Sequence, residues 1–203
     1  MLGWWMLEGG CWLDELDRVL ISLLQLDGRI SLEEIGRRLG LTGMGVKKRL
    51  KKLLDEDLVK VTAAVDVEKL GVKLFLVMVD IGSPPKRMEV LRLLSECPRI
   101  IYAFTLIGAY NVCFLLAAED EYVLESILSY NCVLGRCQED IRRLEVYSVA
   151  KSCIPQHVML RIYLSRRGLE ETPCGVSCLA CEGYERQGCL GCPATKSYRG
   201  SFP

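Results

Sequence analysis

Histidine is nearly missing from this 203-residue chain: the only one, His157, lies in the apolar stretch CIPQHVMLRIYL. One histidine with no paired acid or nucleophile is poor equipment for general acid–base catalysis, so the composition argues against an enzyme. Net charge is missing too, because 26 Lys and Arg balance 26 Asp and Glu. No global basic field recruits nucleic acid, and any such affinity has to come from local clustering. Uninterrupted apolar runs of membrane-spanning length are absent, which excludes a hydropathy-defined transmembrane helix. The beginning, MLGWWMLEGGCWLDELD, has no basic n-region and no long apolar core, and it carries Glu8 early. It does not read as a secretory signal, and the expected location is cytoplasmic.

Cysteine is plentiful: eleven residues, in a chain that is 50% hydrophobic and therefore able to build a core. In a cytoplasmic protein, clustered cysteines favour metal or redox chemistry over structural disulfides. Five of them, Cys174, Cys178, Cys181, Cys189 and Cys192, are spaced C-x3-C-x2-C-x7-C-x2-C and interleaved with glycine. Short gaps let neighbouring sulfurs converge on one centre, and small residues let the backbone wrap it. Cys178/Cys181 with Cys189/Cys192 has the pattern of a four-thiolate zinc site. Cys174, Cys178 and Cys181, with Cys189 or Cys192 as fourth ligand, fit a [4Fe-4S] cluster instead, and Cys192-Pro193 resembles the Cys-Pro step that ends ferredoxin ligand runs. The spacing does not decide between them; the odd fifth thiol tilts toward iron–sulfur. Arg186, Lys196 and Arg199 are the expected counter-charges to the thiolates. Cys97, Cys113 and Cys132 read as small buried hydrophobes.

Ahead of the tail, hydrophobic spacing divides the chain. Leu13, Leu16, Leu20, Leu23 and Leu24 recur at helical intervals up to Asp27-Gly28. Ser31 caps a second helix that stops at Gly40, and Thr42 caps a third with Val46, Leu50, Leu53 and Leu54 inward. Three short helices with tight turns describe a helix-turn-helix. Beyond Val59, strands are expected over 73–81, 100–106, 112–117 and 141–149, with helices over 85–95 and 120–130. That order, βαββαβ, is the ferredoxin-like plan of an α+β domain. The expected divisions are an N-terminal extension with Trp4, Trp5 and Trp12 (1–12), the helix-turn-helix (13–60), a linker (61–72), the ferredoxin-like domain for ligand sensing and dimerisation (73–165) and the Cys-rich tail (166–203).

The third helix carries Lys47, Lys48, Arg49, Lys51 and Lys52, and Arg37 and Arg38 stand on the second. Such cations supply phosphate contacts, while Thr42, Gly43 and Met44 at the start of the third helix would face base edges of double-stranded DNA. Gly43 and Gly45 would each weaken that helix by about 1 kcal/mol.

The segments LDELDRVLISLLQLDGRISLEEIGRRLGLTGMGVKKRLKKLLDEDLVK and TLIGAYNVCFLLAAED resemble the Lrp/AsnC, or feast/famine, family of prokaryotic transcription regulators. The resemblance covers about two thirds of the chain. It implies a DNA-binding regulator that forms homodimers or higher assemblies through its sheet domain and takes a small-molecule effector. By motif it puts Thr42, Val46 and Arg49 on the recognition helix and Gly108, Ala109, Tyr110 and Asn111 in the effector loop. Gly45, Asp57 and Asn111 depart from the family pattern, which has Thr or Ser, Gly and Asp there. The family does not normally carry a Cys-rich tail. An alternative reading is an enzyme or electron-transfer protein, since similar sheet domains serve in siroheme decarboxylation.

Overall fold

A computed structural model describes residues 13–129, 132–151, 153, 157–186 and 188–203. The N-terminal extension with its three tryptophans lies outside the described residues. The chain divides between Thr62 and Ala63 into two compact units.

In the first unit, α1 (Glu15–Leu26), α2 (Leu32–Leu39) and α3 (Gly43–Asp55) each begin behind a capping side chain. Asp14, Ser31 and Thr42 accept hydrogen bonds from the amides of Asp17, Glu34 and Gly45, which satisfies donors left over at each helix start. Leu20, Ile35, Val46 and Leu53, spaced to face inward, form the buried centre. The turn between α2 and α3 is tight enough to dictate its residues. Gly40 is left-handed at φ +67°, and a Cβ at Gly36 would stand 2.6 Å from the Leu41 carbonyl oxygen.

The second unit holds a four-stranded antiparallel sheet of order β3-β4-β2-β5. Its elements run β2 (Lys73–Ile81), α4 (Pro84–Glu96), β3 (Ile100–Thr105), β4 (Val112–Ala118), α5 (Glu121–Ser129) and β5 (Ile141–Ser148), the expected βαββαβ plan. Alternation along β2 sends Phe75, Val77, Val79 and Ile81 into the core beneath the helices, with Val90 and Leu94 of α4, Val123 of α5 and Phe114 of β4. Each such side chain contributes roughly 1.5–3 kcal/mol by leaving water. On the outer face, Leu74 and Ala117 join Val67, Val72, Val158, Leu160 and Phe202 in a second cluster. A two-stranded ribbon, β1 (Val65–Asp66) with β6 (His157–Val158), covers that end. The segment 61–72, read from sequence as a linker, thus supplies β1 and two core residues. The tail 166–203 packs within the second unit: Ser126 of α5 donates to the Gly188 carbonyl, and the Tyr198 hydroxyl donates to Glu119. Two short tail helices, a 3-10 turn over Cys178–Ala180 and α6 (Glu182–Glu185), complete the chain.

Candidate functional site

The exposed side of α3 carries Met44, Lys47, Lys48, Lys51 and Lys52, with Thr42 at its foot. Met44 is 73% exposed on that face. Gly43 and Gly45 both lie inside the first turn, and each would accept a Cβ at 3.4 Å or more from its neighbours. Lys51 pairs with Asp55 at 2.5 Å and Lys52 with Glu56 at 3.9 Å, while Arg37 and Arg38 both pair with Glu34. These exposed pairs hold their charges only loosely and exchange readily for phosphate. Arg49 differs. Its guanidinium donates to Asp14 Oδ2 at 2.7 Å and Asp17 Oδ1 at 2.8 Å, tying α3 to α1. The Asp14 and Asp17 carboxylates raise the Arg49 pKa, and the Asp17 amide together with Arg49 lowers that of Asp14. Arg49, expected among the DNA contacts, is instead held by these two carboxylates, and the buried Asp17 needs such a partner.

In the second unit the loop between β3 and β4 holds Gly108, Ala109, Tyr110 and Asn111. Gly108 has neither a left-handed φ nor any atom within 4 Å of its Cβ position, so the turn itself does not demand glycine. Asn111 is fully engaged with the end of β2: Oδ1 accepts from the Ile81 amide at 3.0 Å, and Nδ2 donates to Asp80 and to the Ile81 carbonyl at 2.8 Å. Tyr110 is buried under Arg143, 5.6 Å from its ring centre.

The tail cysteines meet around a cavity of about 70 Å³ between the helix layer and the tail. On the same measure a water needs about 10–15 Å³, so the space holds a group of atoms and not one solvent molecule. Cys174, Cys178, Cys181, Cys189 and Cys192 all line it, and so do Cys97 and Cys132 of the sheet domain. Among the described residues no three donors are already gathered at single-ion spacing; the thiols ring the space instead. Their turns are well specified. Cys97 is the C-cap of α4, and Cys174 lies 3.0 Å from the Thr172 hydroxyl in a turn with left-handed Gly175. Gly191, at φ +86° and 3.2 Å from the Tyr184 ring at its Cβ position, sits where any other residue would be strained beside Cys192. Burial pushes up the thiol pKa values of Cys97 and Cys189, and that of Cys192 to about 12.

The cation lining the cavity is Arg99. Its guanidinium donates to Glu119 at 2.5 Å and lies 4.9 Å from the Phe202 ring centre, so the tail's end closes over the ion pair. Tyr198 donates to Glu119 and completes the clamp. The cations expected to offset thiolate charge are engaged elsewhere: Arg186 with Glu182, Lys196 with Glu170, and Arg199 stacked 3.8 Å from the Tyr184 ring centre.

Residues 13–54 match the AsnC-type helix-turn-helix domain. The HTH-type transcriptional regulator FL11 of Pyrococcus abyssi is 31% identical over 117 residues, 57% of this chain and 78% of the relative. A second regulator, PF1231 of Pyrococcus furiosus, is 32% identical over 117 residues and 79% of its own length. The chain belongs to the Lrp/AsnC family of transcription regulators. Solved structures agree on the fold: PH0061 has a TM-score of 0.64 at 23% identity, covering 70% of this chain and 95% of that one. E. coli AsnC has 0.61 at 19%, also covering 70% and 95%. The relatives of this Lrp/AsnC chain are regulators and not enzymes, which removes the enzyme alternative. Those structures are matched almost end to end while 30% of this Lrp/AsnC protein stays outside the match. No described helix is long and apolar enough to cross a membrane.

Proposed function

We propose that this Lrp/AsnC regulator binds double-stranded DNA through α3 as a homodimer or higher assembly, and that a thiolate-bound metal centre in its cysteine-lined cavity sets its DNA affinity. The observation that carries the reading is the gathering of Cys174, Cys178, Cys181, Cys189 and Cys192 around one cavity. A zinc ion with bonds of about 2.3 Å needs its sulfurs about 3.8 Å apart. Thiols that ring a larger cavity without three converging suit a polynuclear iron–sulfur centre better, since its ligands stand at the corners of the cluster. Such a centre supplies a redox state. The chain's own residues supply the thiolates, the Arg99 charge beside them and an apolar wall against water.

Self-association is assigned to the open half of the outer sheet face. There Phe104 and Tyr147 are 54% and 50% exposed beside half-buried Leu76, Met78 and Cys113. Register supports one continuous strip, because Cys113 opposes both Met78 and Phe104, and Leu76 opposes Tyr147.

Anaerobic purification with an absorption spectrum and metal analysis tests the centre. A brown protein absorbing near about 400 nm is expected for thiolate-ligated iron–sulfur, and colourless protein with stoichiometric zinc replaces that cofactor. Operator affinity measured at one salt concentration, with and without the metal, tests the control. Equal affinities would end the sensor reading, because a group that leaves both states equal regulates nothing.

A further inference from the structure

We infer that Cys97 and Cys132, which belong to the sheet domain and not to the tail, are ligands of the same thiolate centre as Cys174 and Cys192, so that the bound metal bridges α4 and α5 to the tail. The inference rests on the reading that this cavity takes a metal, and adds to it two ligands from distant parts of the chain.

Proximity carries the argument. All four residues line the one cavity, and the Cys132 thiol hydrogen-bonds that of Cys174. Cys97 and Cys174 also pack against the same helix-side core, and Cys192 lines the cavity from the tail. Cys97, Cys132, Cys174 and Cys192 thus offer four thiols, from sheet domain and tail, to one cavity, the complement that a [4Fe-4S] cluster requires.

The Cys97 turn is also held firmly in place. Arg161 donates to the carbonyls of Leu94 at 3.0 Å, Ser95 at 2.6 Å, Cys97 at 2.6 Å and Ile100 at 2.5 Å. One guanidinium thereby fixes the whole passage from α4 into β3. That is the kind of support that keeps a ligand's backbone at a set position. On the tail side, the Thr172 hydroxyl accepts from the Val176 amide at 2.8 Å while meeting Cys174, so this thiol is positioned too.

The test is a cadmium titration of the reduced, metal-free full chain, following sulfur-to-cadmium absorption and bound metal per chain. Wild type is compared with Cys97→Ser, Cys132→Ser, the double variant, and Cys153→Ser. Cys153 is exposed and does not line the cavity. The double variant is expected to bind cadmium more than about tenfold more weakly at this centre, with loss of thiolate absorption. Cys153→Ser is expected to match wild type. A double variant that keeps wild-type absorption, stoichiometry and affinity overturns the inference while leaving a tail-only metal site standing. If wild type itself takes no cadmium, the metal reading fails and this inference with it.

Should the variants fail to fold by circular dichroism, alkylation of wild type with mass-spectrometric mapping decides the matter. Cadmium is expected to slow modification of Cys97 and Cys132 more than about tenfold and leave Cys153 unchanged. Equal rates with and without cadmium would refute the assignment.

Discussion

Lysine and arginine on α3 are interchangeable in a count of positive charges, but the structure gives them different work, and salt separates them. Lys47 and Lys48 are exposed, and among the described residues neither pairs with a carboxylate. Arg49 spans to Asp14 and Asp17. Each phosphate neutralised by a lysine contributes about −0.9 to the slope of log affinity against log salt. Replacing Lys47 and Lys48 with alanine should therefore flatten the slope by about 1.8 for each helix-turn-helix engaged. Between 50 and 200 mM salt, one lost contact removes about 3.5-fold of the fall in affinity and two remove about 12-fold. Arg49→Ala should leave the slope unchanged, yet lower the stability of the first unit by about 1–3 kcal/mol, because Asp17 stays behind without its charged partner. Fluorescence anisotropy with any mixed-sequence duplex suffices, since this term ignores base sequence, and thermal denaturation reports the second effect. The reasoning is refuted if Arg49→Ala flattens the slope as much as the lysine pair does while the melting curve stays put.

Three further outcomes follow from single positions. Gly36→Ala should destabilise the helix-turn-helix by about 1–3 kcal/mol in chemical denaturation, since its Cβ would press on the backbone of the α2–α3 turn and backbone cannot step aside. Asp57 holds φ +57° at the end of α3's exit turn, so Asp57→Gly should raise stability by up to about 1 kcal/mol, read as a higher melting temperature. Burial raises the Glu119 pKa, but Arg99's hydrogen bonds and charge outweigh it and hold the carboxylate below its ordinary 4.5. A depressed folded value means stabilisation that is present above 4.5 and lost as pH falls through the folded pKa. Glu119→Gln should cost about 3–5 kcal/mol near neutrality, by leaving buried Arg99 without its anion. The gap between variant and wild type should close on acidification; a gap constant with pH would show that the carboxylate's charge is not what holds the clamp.

Local chemistry was legible in the sequence and tertiary pairing was not. Ser31 and Thr42 announce their helices because a cap acts over three residues, and the unbroken apolar, β-rich run in KLFLVMVDI gives β2 its bounds directly. The five tail cysteines declare themselves by short spacing for the same reason. Cys97 and Cys132 do not: each is a lone thiol amid apolar residues, the usual pattern of a buried hydrophobe, and only the fold brings them to Cys174. Arg49 reads as one more cation on a basic helix because its partners Asp14 and Asp17 stand 35 and 32 residues away. Arg99 escapes notice likewise, with Glu119 on the far side of a hairpin. Gly36 carries a signal in the sequence itself, since glycine inside a short helix lowers its stability and asks for a reason.

The placement of the cavity constrains how a metal centre here would reach DNA. The cysteines lie on the helix side of the sheet, whereas the apolar strip proposed for self-association lies on the outer side, and β3 belongs to both. Cys97 and Arg99 precede the strand directly, and Phe104 near its other end faces outward. The tail also touches both sides, with Cys174 against the helix-side core and Phe202 buried in the outer cluster. This gives a route, β3 itself, by which a change in the centre at the start of the strand would reach the strip. If assembly is the route to DNA control, the metal-bound and metal-free proteins differ in self-association, and a difference of about 1.4 kcal/mol already makes tenfold. Sedimentation at matched salt reads this without any DNA. Identical association constants alongside a metal-dependent DNA affinity would exclude the β3 route and require coupling inside a single protomer.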